Sequence, residues 1–499
     1  MRVFRTMALC VSCALAAGAS ATPEFVNGVL LPGNTLDATR QAGANNGRFG
    51  FFSDLYYDPL RDDWWALSDR GPGGGLLDYS TRVNRLDVKL DDRTGAIRSV
   101  RVKQTVKLSD PFGLLEAPDN SSISNARALN GLNPLGLNGS AAMLGRSFDP
   151  EGLVIEPFTG RMLIADEYGP SLYLFSRFGV LLKVFETPEN LKPRLADVTT
   201  LDYVSDRGLL RSGRQDNRGF EGLAISPNGR LLYAVMQDPL VNEPGPNNGR
   251  DGRNVRIVVF DNNRFSDTFG KSIAQYVYQL EAQSAVAARI TAADGIATAN
   301  DPRQGRNLGL SAIVAINDHE FLVLERDNRG IGIDDPAGAS VVGSKRVFKI
   351  DIEGATDVSN MILPAGALPM GVRPVTKSPD VFIDLAANTV LPNGKRVEKW
   401  EGLAIGPSLK RGGARVILTG NDNDYSVTQT GAGTQFDIFV DFSGNSVQRD
   451  LDQPTQLNGV EVGPVPTGFT LLPGTLHSYR VPAADLAGYV APGFIFDRR

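Results

Sequence analysis

The 499 residues carry 51 Lys and Arg against 56 Asp and Glu, a formal charge of −5 with both His neutral, and that balance argues against a nucleic-acid partner, which calls for a basic stripe. With 54 Gly, 30 Pro and only 21% charged residues, the composition suits a loop-rich all-β protein better than a helical one. Both cysteines, Cys10 and Cys13, fall in the first 21 residues, which excludes disulfide and thiolate chemistry from everything beyond them.

The chain opens with a basic segment containing Arg2 and Arg5, then an apolar or small-residue stretch from Met7 to Gly18, then Ala19-Ser20-Ala21 as an A-x-A cleavage site. This predicts a signal peptide over 1–21 and export to the periplasm or the medium, with no membrane insertion after cleavage. Removing it leaves residues 22–499 with 49 basic and 56 acidic side chains, a charge of −7. No linker divides that stretch, so it reads as one domain.

Residues 23–33 are expected to supply a strand that closes a ring against the last repeat. From there one pattern recurs: "FSDLYYDPLRDDWWALSDRGP" at 52–72, "DPEGLVIEPFTGRMLIADEYGP" at 149–170, "FEGLAISPNGRLLYAVMQDPL" at 220–240, "LSAIVAINDHEFLVLERDNRG" at 310–330 and "KWEGLAIGPSLKRGGARVILTGNDND" at 399–424. Each is an apolar strand, a turn rich in Gly, Pro, Asn or Asp, a second strand of β-formers, and an acidic or amide cluster. Two further strands follow several copies, as in "SLYLFSRFG" and "VLLKVFETP". Four antiparallel strands per unit, repeated along the chain, predict a β-propeller. Five repeats are legible, five to seven blades are allowed, and six are expected. Residues 113–147 and 282–307 break the rhythm and read as inserted loops.

In a hairpin the start of strand one faces the end of strand two. Glu151 therefore belongs near Asp166 and Glu167, Glu221 near Gln237 and Asp238, Asp54 near Ser68 and Asp69, and Glu401 near Asn421, Asp422 and Asp424; in the fourth copy Ser311 faces Glu325 and Asp327. If the first strands are innermost, all of these ends share one mouth of a central channel. So many carboxylates cannot stay ionised together without a cation, and hard oxygen donors from several loops are what Ca2+ accepts. Arg70, Arg218, Arg326, Arg329 and Lys399 lie among the same motifs, giving a mouth suited to metal ions and an anionic group together. The competing reading is structural: each acid ties neighbouring strands together by accepting N–H bonds or pairing with an arginine.

In "SDRG" (68–71), "DPEGL" (149–153), "NRGFEGLA" (217–224), "LERDNRG" (324–330), "KWEGLAI" (399–405) and "NDND" (421–424), the sequence resembles the phytase-like proteins named for an esterase-like activity of phytase. The resemblance implies an exported bacterial β-propeller that hydrolyses phosphomonoesters or related small anionic esters at a Ca2+-rich face, acting as a monomer. Carried onto this chain, it implies Asp69, Glu151, Glu167, Glu325, Asp422 and Asp424 as metal ligands, with Glu221, Glu401, Arg70 and Arg326 as the catalytic group. Gln237 and Ser311, where other copies place an acid, reduce the charge such a cluster can carry.

Only His319 and His477 exist, no Gly-x-Ser-x-Gly elbow is present, and structural places are expected for both histidines, His319 at a hairpin turn and His477 in a strand. Two other functions fit the pattern: a lactonase-like propeller hydrolase using one divalent ion, and a non-catalytic binding propeller.

Overall fold

Each repeat folds as the hairpin its turn chemistry dictates. Phe220–Ile225 and Leu231–Met236 pair antiparallel across a turn in which Ser226 Oγ accepts the Leu231 N–H, Asn228 Oδ1 accepts the Arg230 N–H, both at 2.9 Å, and Gly229 takes a left-handed φ of +74°. The computed structural model describes residues 23–41, 47–115, 127–204, 210–243, 252–294, 308–410, 412–430, 434–451 and 464–493; the expected signal peptide lies outside them, as do parts of both inserted loops.

Sheet 1 comprises Asp54–Asp58, Asp63–Leu67, Arg82–Leu90 and Ile97–Lys107. Sheet 2 comprises Pro150–Ile155, Met162–Asp166, Ser171–Phe175 and Leu181–Val184, and sheet 3 Phe220–Ile225, Leu231–Met236, Asn254–Asp261 and Ser272–Gln279. Sheet 4 comprises Gly309–Ala315, Glu320–Arg326 and Lys345–Asp351, with the short Thr376–Lys377 and Ile383–Asp384 both paired to the last. Sheet 5 runs Lys399–Ser408, Arg415–Asp422, Gly474–Val481 and, outermost, the N-terminal strand Glu24–Leu31. The strand expected over 23–33 thus joins the last repeat. All are antiparallel, and the arrangement is that of propeller blades. A further sheet, Val427–Thr430, Thr434–Val440, Ser446–Asp450 and Thr470–Leu471, falls in chain order between the second and third strands of sheet 5.

The first strands of sheets 1 to 5 pack in cyclic order, each against the next and the fifth against the first. Between them lies an apolar cavity to which every one of the five contributes, with Leu55, Leu153, Leu223, Ile313 and Leu403 among its walls. Tyr489 and Pro492 also line it, held at the turn ends of the hairpins where Val490 N–H donates to Ile316 O and Gly493 N–H to Pro227 O, both at 2.8 Å.

The glycine of Glu-Gly-Leu is what lets the first strands meet. A Cβ on Gly222 would stand 2.9 Å from Ala312 Cα and 3.0 Å from Ile313 N, both backbone atoms of sheet 4, and one on Gly152 would stand 2.8 Å from Leu223 N. Gly222→Ala is expected to cost about 1–3 kcal/mol by overpacking in denaturant unfolding; unchanged stability would contradict the close approach.

Candidate functional site: a carboxylate-lined mouth

The acids stand where they do because the ladder breaks beneath them. In sheets 2, 3, 4 and 5 the register shifts between Pro150 and Gly152, Phe220 and Gly222, Leu310 and Ala312, and Trp400 and Gly402. The residue inside each bulge is Glu151, Glu221, Ser311 or Glu401, and a bulge re-aims its side chain out of the ladder's alternation. Sheet 1 has no such shift, and Asp54 pairs regularly with Leu67.

Two groups of carboxylates result. Ligand-capable oxygens of Asp69, Asp149 and Glu151 lie within 4.8 Å of one another, and so do those of Asp69, Asp422 and Asp424. Asp149 Oδ2, Glu151 Oε2, Glu167 Oε1, Glu221 Oε2 and Glu401 Oε2 are buried and accept no hydrogen bond, as are Gln237 Oε1 and Ser311 Oγ. Buried oxygens in native proteins are ordinarily paired, so this concentration of unpartnered acceptors could hold a cation. Burial, then the charges of Asp422 and Asp149, holds the Asp69 carboxyl well above its ordinary range. Burial with Glu221 and Asp149 does the same to Glu151, and burial with Glu167 and Glu401 to Glu221.

The positive groups are fewer. Arg326 donates to Glu401 Oε1. Arg70 donates to Asn217 Oδ1 at 2.6 Å and approaches Asp149 Oδ2 at 3.3 Å. Lys399 Nζ sits 3.2 Å from Asp422 Oδ2 and 2.7 Å from Asp424 Oδ1. Burial pushes Glu401 up to about 7 even though Lys399 and Arg326 oppose it, and Asp149 reaches about 7 by burial against the pull of Arg70.

The sequence pattern of the phytase-like family, described as esterase-like activity of phytase, matches residues 47–425, a span that contains every one of these side chains. The chain belongs to the phytase-like family. An uncharacterized secreted protein of Arthroderma benhamiae is 28% identical over 441 residues, covering 75% of this chain and 80% of its own. Among solved structures, hydrazine synthase of Kuenenia stuttgartiensis matches at 11% identity and a TM-score of 0.27 over 75% of this chain and 77% of that one. A GH74 enzyme of Niastella koreensis matches at 12% and 0.29 over 86% and 47%. Likenesses at those scores carry no inference.

Of the positions expected to hold metal in this phytase-like chain, Asp69, Glu151, Asp422 and Asp424 come together, and Glu167 lies close enough to raise the pKa of Glu221. Glu325 does not join them. Its oxygens accept from Tyr278 Oη at 2.9 Å, the Glu281 N–H at 2.6 Å and Lys377 Nζ at 2.6 Å. The reason is register: Glu325 pairs with Leu310 as Asp166 pairs with Pro150 and Asn421 with Trp400. The counterpart of Glu167 and Asp422 is therefore Arg326, so sheet 4 offers the mouth a guanidinium instead of an acid. Asp54 is likewise structural, accepting the Leu153 N–H of the neighbouring sheet at 2.7 Å. Asp166 closes a turn by accepting from Asp149 and Gly169 N–H, both at 2.9 Å, and Asp327 accepts from Gly343 and Ser344 N–H.

Two residues were not anticipated. Asp149 sits two places before Glu151, and aligning "DPEGL" with "KWEGL" marks its position as that of Lys399. Glu398 is buried with Oε2 unpartnered, and burial, then Asp424, raises it to about 8. His319 precedes the second strand of its hairpin, its Nδ1 within hydrogen-bond distance of Asp351 Oδ1 at 2.9 Å; His477 lies in Gly474–Val481, where burial lowers it to about 3. Trp64, Trp65 and Trp400 are all buried.

A pH dependence follows. Asp149 and Glu401 keep protons in the folded chain between the ordinary carboxylate range and about 7, whereas the unfolded chain has released them. The folded state then binds more protons than the unfolded one, and stability falls as pH rises through that window. Metal-free protein is expected to melt lower at pH 8 than at pH 5; the opposite slope would contradict the crowding.

Proposed function

We propose that this chain is an exported, cation-assisted ester hydrolase of the phosphomonoesterase or phytase kind, working as a monomer at the acidic mouth of a five-bladed propeller. Five blades, one fewer than the repeat spacing suggested, is the reading supported by the cyclic packing of five first strands, with the sheet inside sheet 5 taken as an insertion. Export is supported by the leader pattern and by the secreted Arthroderma relative; no helix among the described residues is long and apolar enough to cross a membrane. The observation that carries the catalytic reading is the convergence of buried carboxylate oxygens of Asp69, Asp149 and Glu151 within 4.8 Å of one another, with Glu151 Oε2 accepting no hydrogen bond.

Those three residues would hold Ca2+, a hard cation that takes oxygen donors. When bound, such an ion polarises an ester oxygen and makes water more acidic. Arg70, with 13% of its side chain exposed, is placed to bind the anionic group of an ester. Arg326 fixes Glu401 through Oε1, which leaves Oε2 to take a proton from water at a pKa of about 7, near the optimum for a general base at neutral pH. Glu221, whose carboxyl is held well above its ordinary range by burial and the charges of Glu167 and Glu401, suits donation to a leaving oxygen.

The test is hydrolysis of an aryl phosphate and of phytate by protein stripped with chelator and titrated with Ca2+, beside Glu401→Gln. Activity that returns with Ca2+ and drops on the order of a hundredfold or more in the variant is expected. No turnover of either ester would overturn the reading and favour a binding propeller. A lactone belongs in the same assay, because Lys399 lying between Asp422 and Asp424 favours a single-ion hydrolase on ion count.

A further inference from the structure

We infer that Lys399 is a built-in cation for the second carboxylate group, so that the natural chain takes one divalent ion at its mouth and acquires a second site when the ammonium is removed. This rests on the cation-dependent reading above and sharpens it.

The two groups share Asp69 but differ in what already faces them. In the Asp69–Asp149–Glu151 group, Asp149 is 0% and Glu151 7% exposed, and Asp149 Oδ2 and Glu151 Oε2 accept no hydrogen bond. Arg70 reaches this group from one side, its backbone N–H donating to Asp149 Oδ1 at 3.1 Å and its guanidinium 3.3 Å from Asp149 Oδ2, and no ammonium or guanidinium contact to Glu151 is seen among the described residues. In the Asp69–Asp422–Asp424 group, Lys399 Nζ is within hydrogen-bond reach of Asp422 Oδ2 at 3.2 Å and Asp424 Oδ1 at 2.7 Å, where an ion would otherwise stand. The repeat explains the asymmetry. Asp149 and Lys399 both lie two residues before the bulged Glu, while sheets 3 and 4 have Gly219 and Gly309 there. One repeat position therefore supplies a ligand's negative charge in sheet 2 and the counter-charge in sheet 5.

The second group is also built to survive without its lysine. Asp424, Tyr425 and Ser426 run consecutively with φ of 49°, 55° and 62°, a left-handed course that non-glycine residues keep only when surroundings enforce it. Tyr425 Oη bonds Tyr79 Oη at 2.6 Å, Ser426 Oγ donates to Leu472 O at 2.6 Å, and Arg48 donates to Tyr425 O at 2.9 Å. The backbone that carries Asp422 and Asp424 is thereby held independently of Lys399, and Asp422 Oδ1 accepts the Asp424 N–H at 2.9 Å. Further acceptors stand in reserve, since Glu398 Oε2 and Glu401 Oε2, on residues that feel the charges of Asp424 and of Asp422, are buried and unpartnered.

Bound Ca2+ per chain, counted by equilibrium dialysis of chelator-stripped full-length protein, tests this in the natural chain, Lys399→Met, Lys399→Arg and Lys399→Met with Asp422→Asn. One ion, two ions, one ion and one ion, in that order, are expected. Two ions in the natural chain, or one in Lys399→Met, would overturn the role of Lys399 while leaving a cation-dependent mouth intact. No bound Ca2+ in any form would overturn the cation reading itself. Should Lys399→Met fold only with Ca2+ present, the charge-keeping Lys399→Arg still decides, because a second ion there contradicts a role for the side chain's charge.

Discussion

Glu151→Gln protein, stripped of metal, is expected to melt about 2 °C or more above the stripped natural protein, while its Ca2+ affinity falls on the order of a hundredfold. The two effects have opposite sign for one reason. Burial together with Glu221, Asp149, Glu401 and Asp69 disfavours charge on Glu151, and an amide of the same shape removes that repulsion. The same amide deprives a cation of one of three converging oxygens. Sites that must crowd like charge to bind are commonly stabilised by mutations that abolish function. Had Glu151 served only to tie strands together, the substitution would lower the melting temperature with or without Ca2+, and that result would remove the mouth as a binding site.

Arg256→Met is expected to destabilise the fold by about 3–5 kcal/mol, the range for breaking a buried pair by removing one partner. Arg256 and Glu243 are each 1% exposed and bonded to one another. The guanidinium also donates to Gln275 Oε1 and Val358 O at 3.0 Å and to Met361 O at 2.8 Å, so it joins the outer half of sheet 3 to the 358–363 segment that covers it. Removing it strands Glu243, whose remaining donors are the Leu240 and Leu363 N–H groups. Denaturant unfolding reads this directly, and a loss under about 1 kcal/mol would contradict it. Since the pair lies outside the mouth, Ca2+ binding by the folded fraction is expected to be unchanged.

The five hairpins were legible because local chemistry alone fixes them: β-forming runs on either side of Gly, Asn and Pro turns pair the same way whatever surrounds them. The N-terminal strand, which pairs with the distant Gly474–Val481, was legible for a different reason, the need of a ring of repeats to close. What escaped was register. Successive residues of a strand point to opposite faces, and the register of sheet 4, bulged between Leu310 and Ala312, therefore puts Arg326 rather than Glu325 at the mouth. Only the pairing partner reveals this. The left-handed turn at Asp424–Ser426 was equally invisible, because it contains no glycine and depends on Tyr79, Arg48 and Leu472, all distant in sequence. Asp149 was the recoverable omission: it stands in the quoted repeat two residues before Glu151, where the fifth copy has Lys399 before Glu401.

The most direct measurement is a calorimetric titration of Ca2+ into chelator-stripped protein at pH 7 in two buffers of different ionisation enthalpy, beside Asp149→Asn. Saturable binding that releases protons is expected, since Asp149 and Glu401 hold theirs up to about 7 and must lose them to face a cation, with binding weakened in the variant. Absence of binding heat in either buffer, with the melting temperature unmoved by Ca2+, would contradict a cation-dependent mouth.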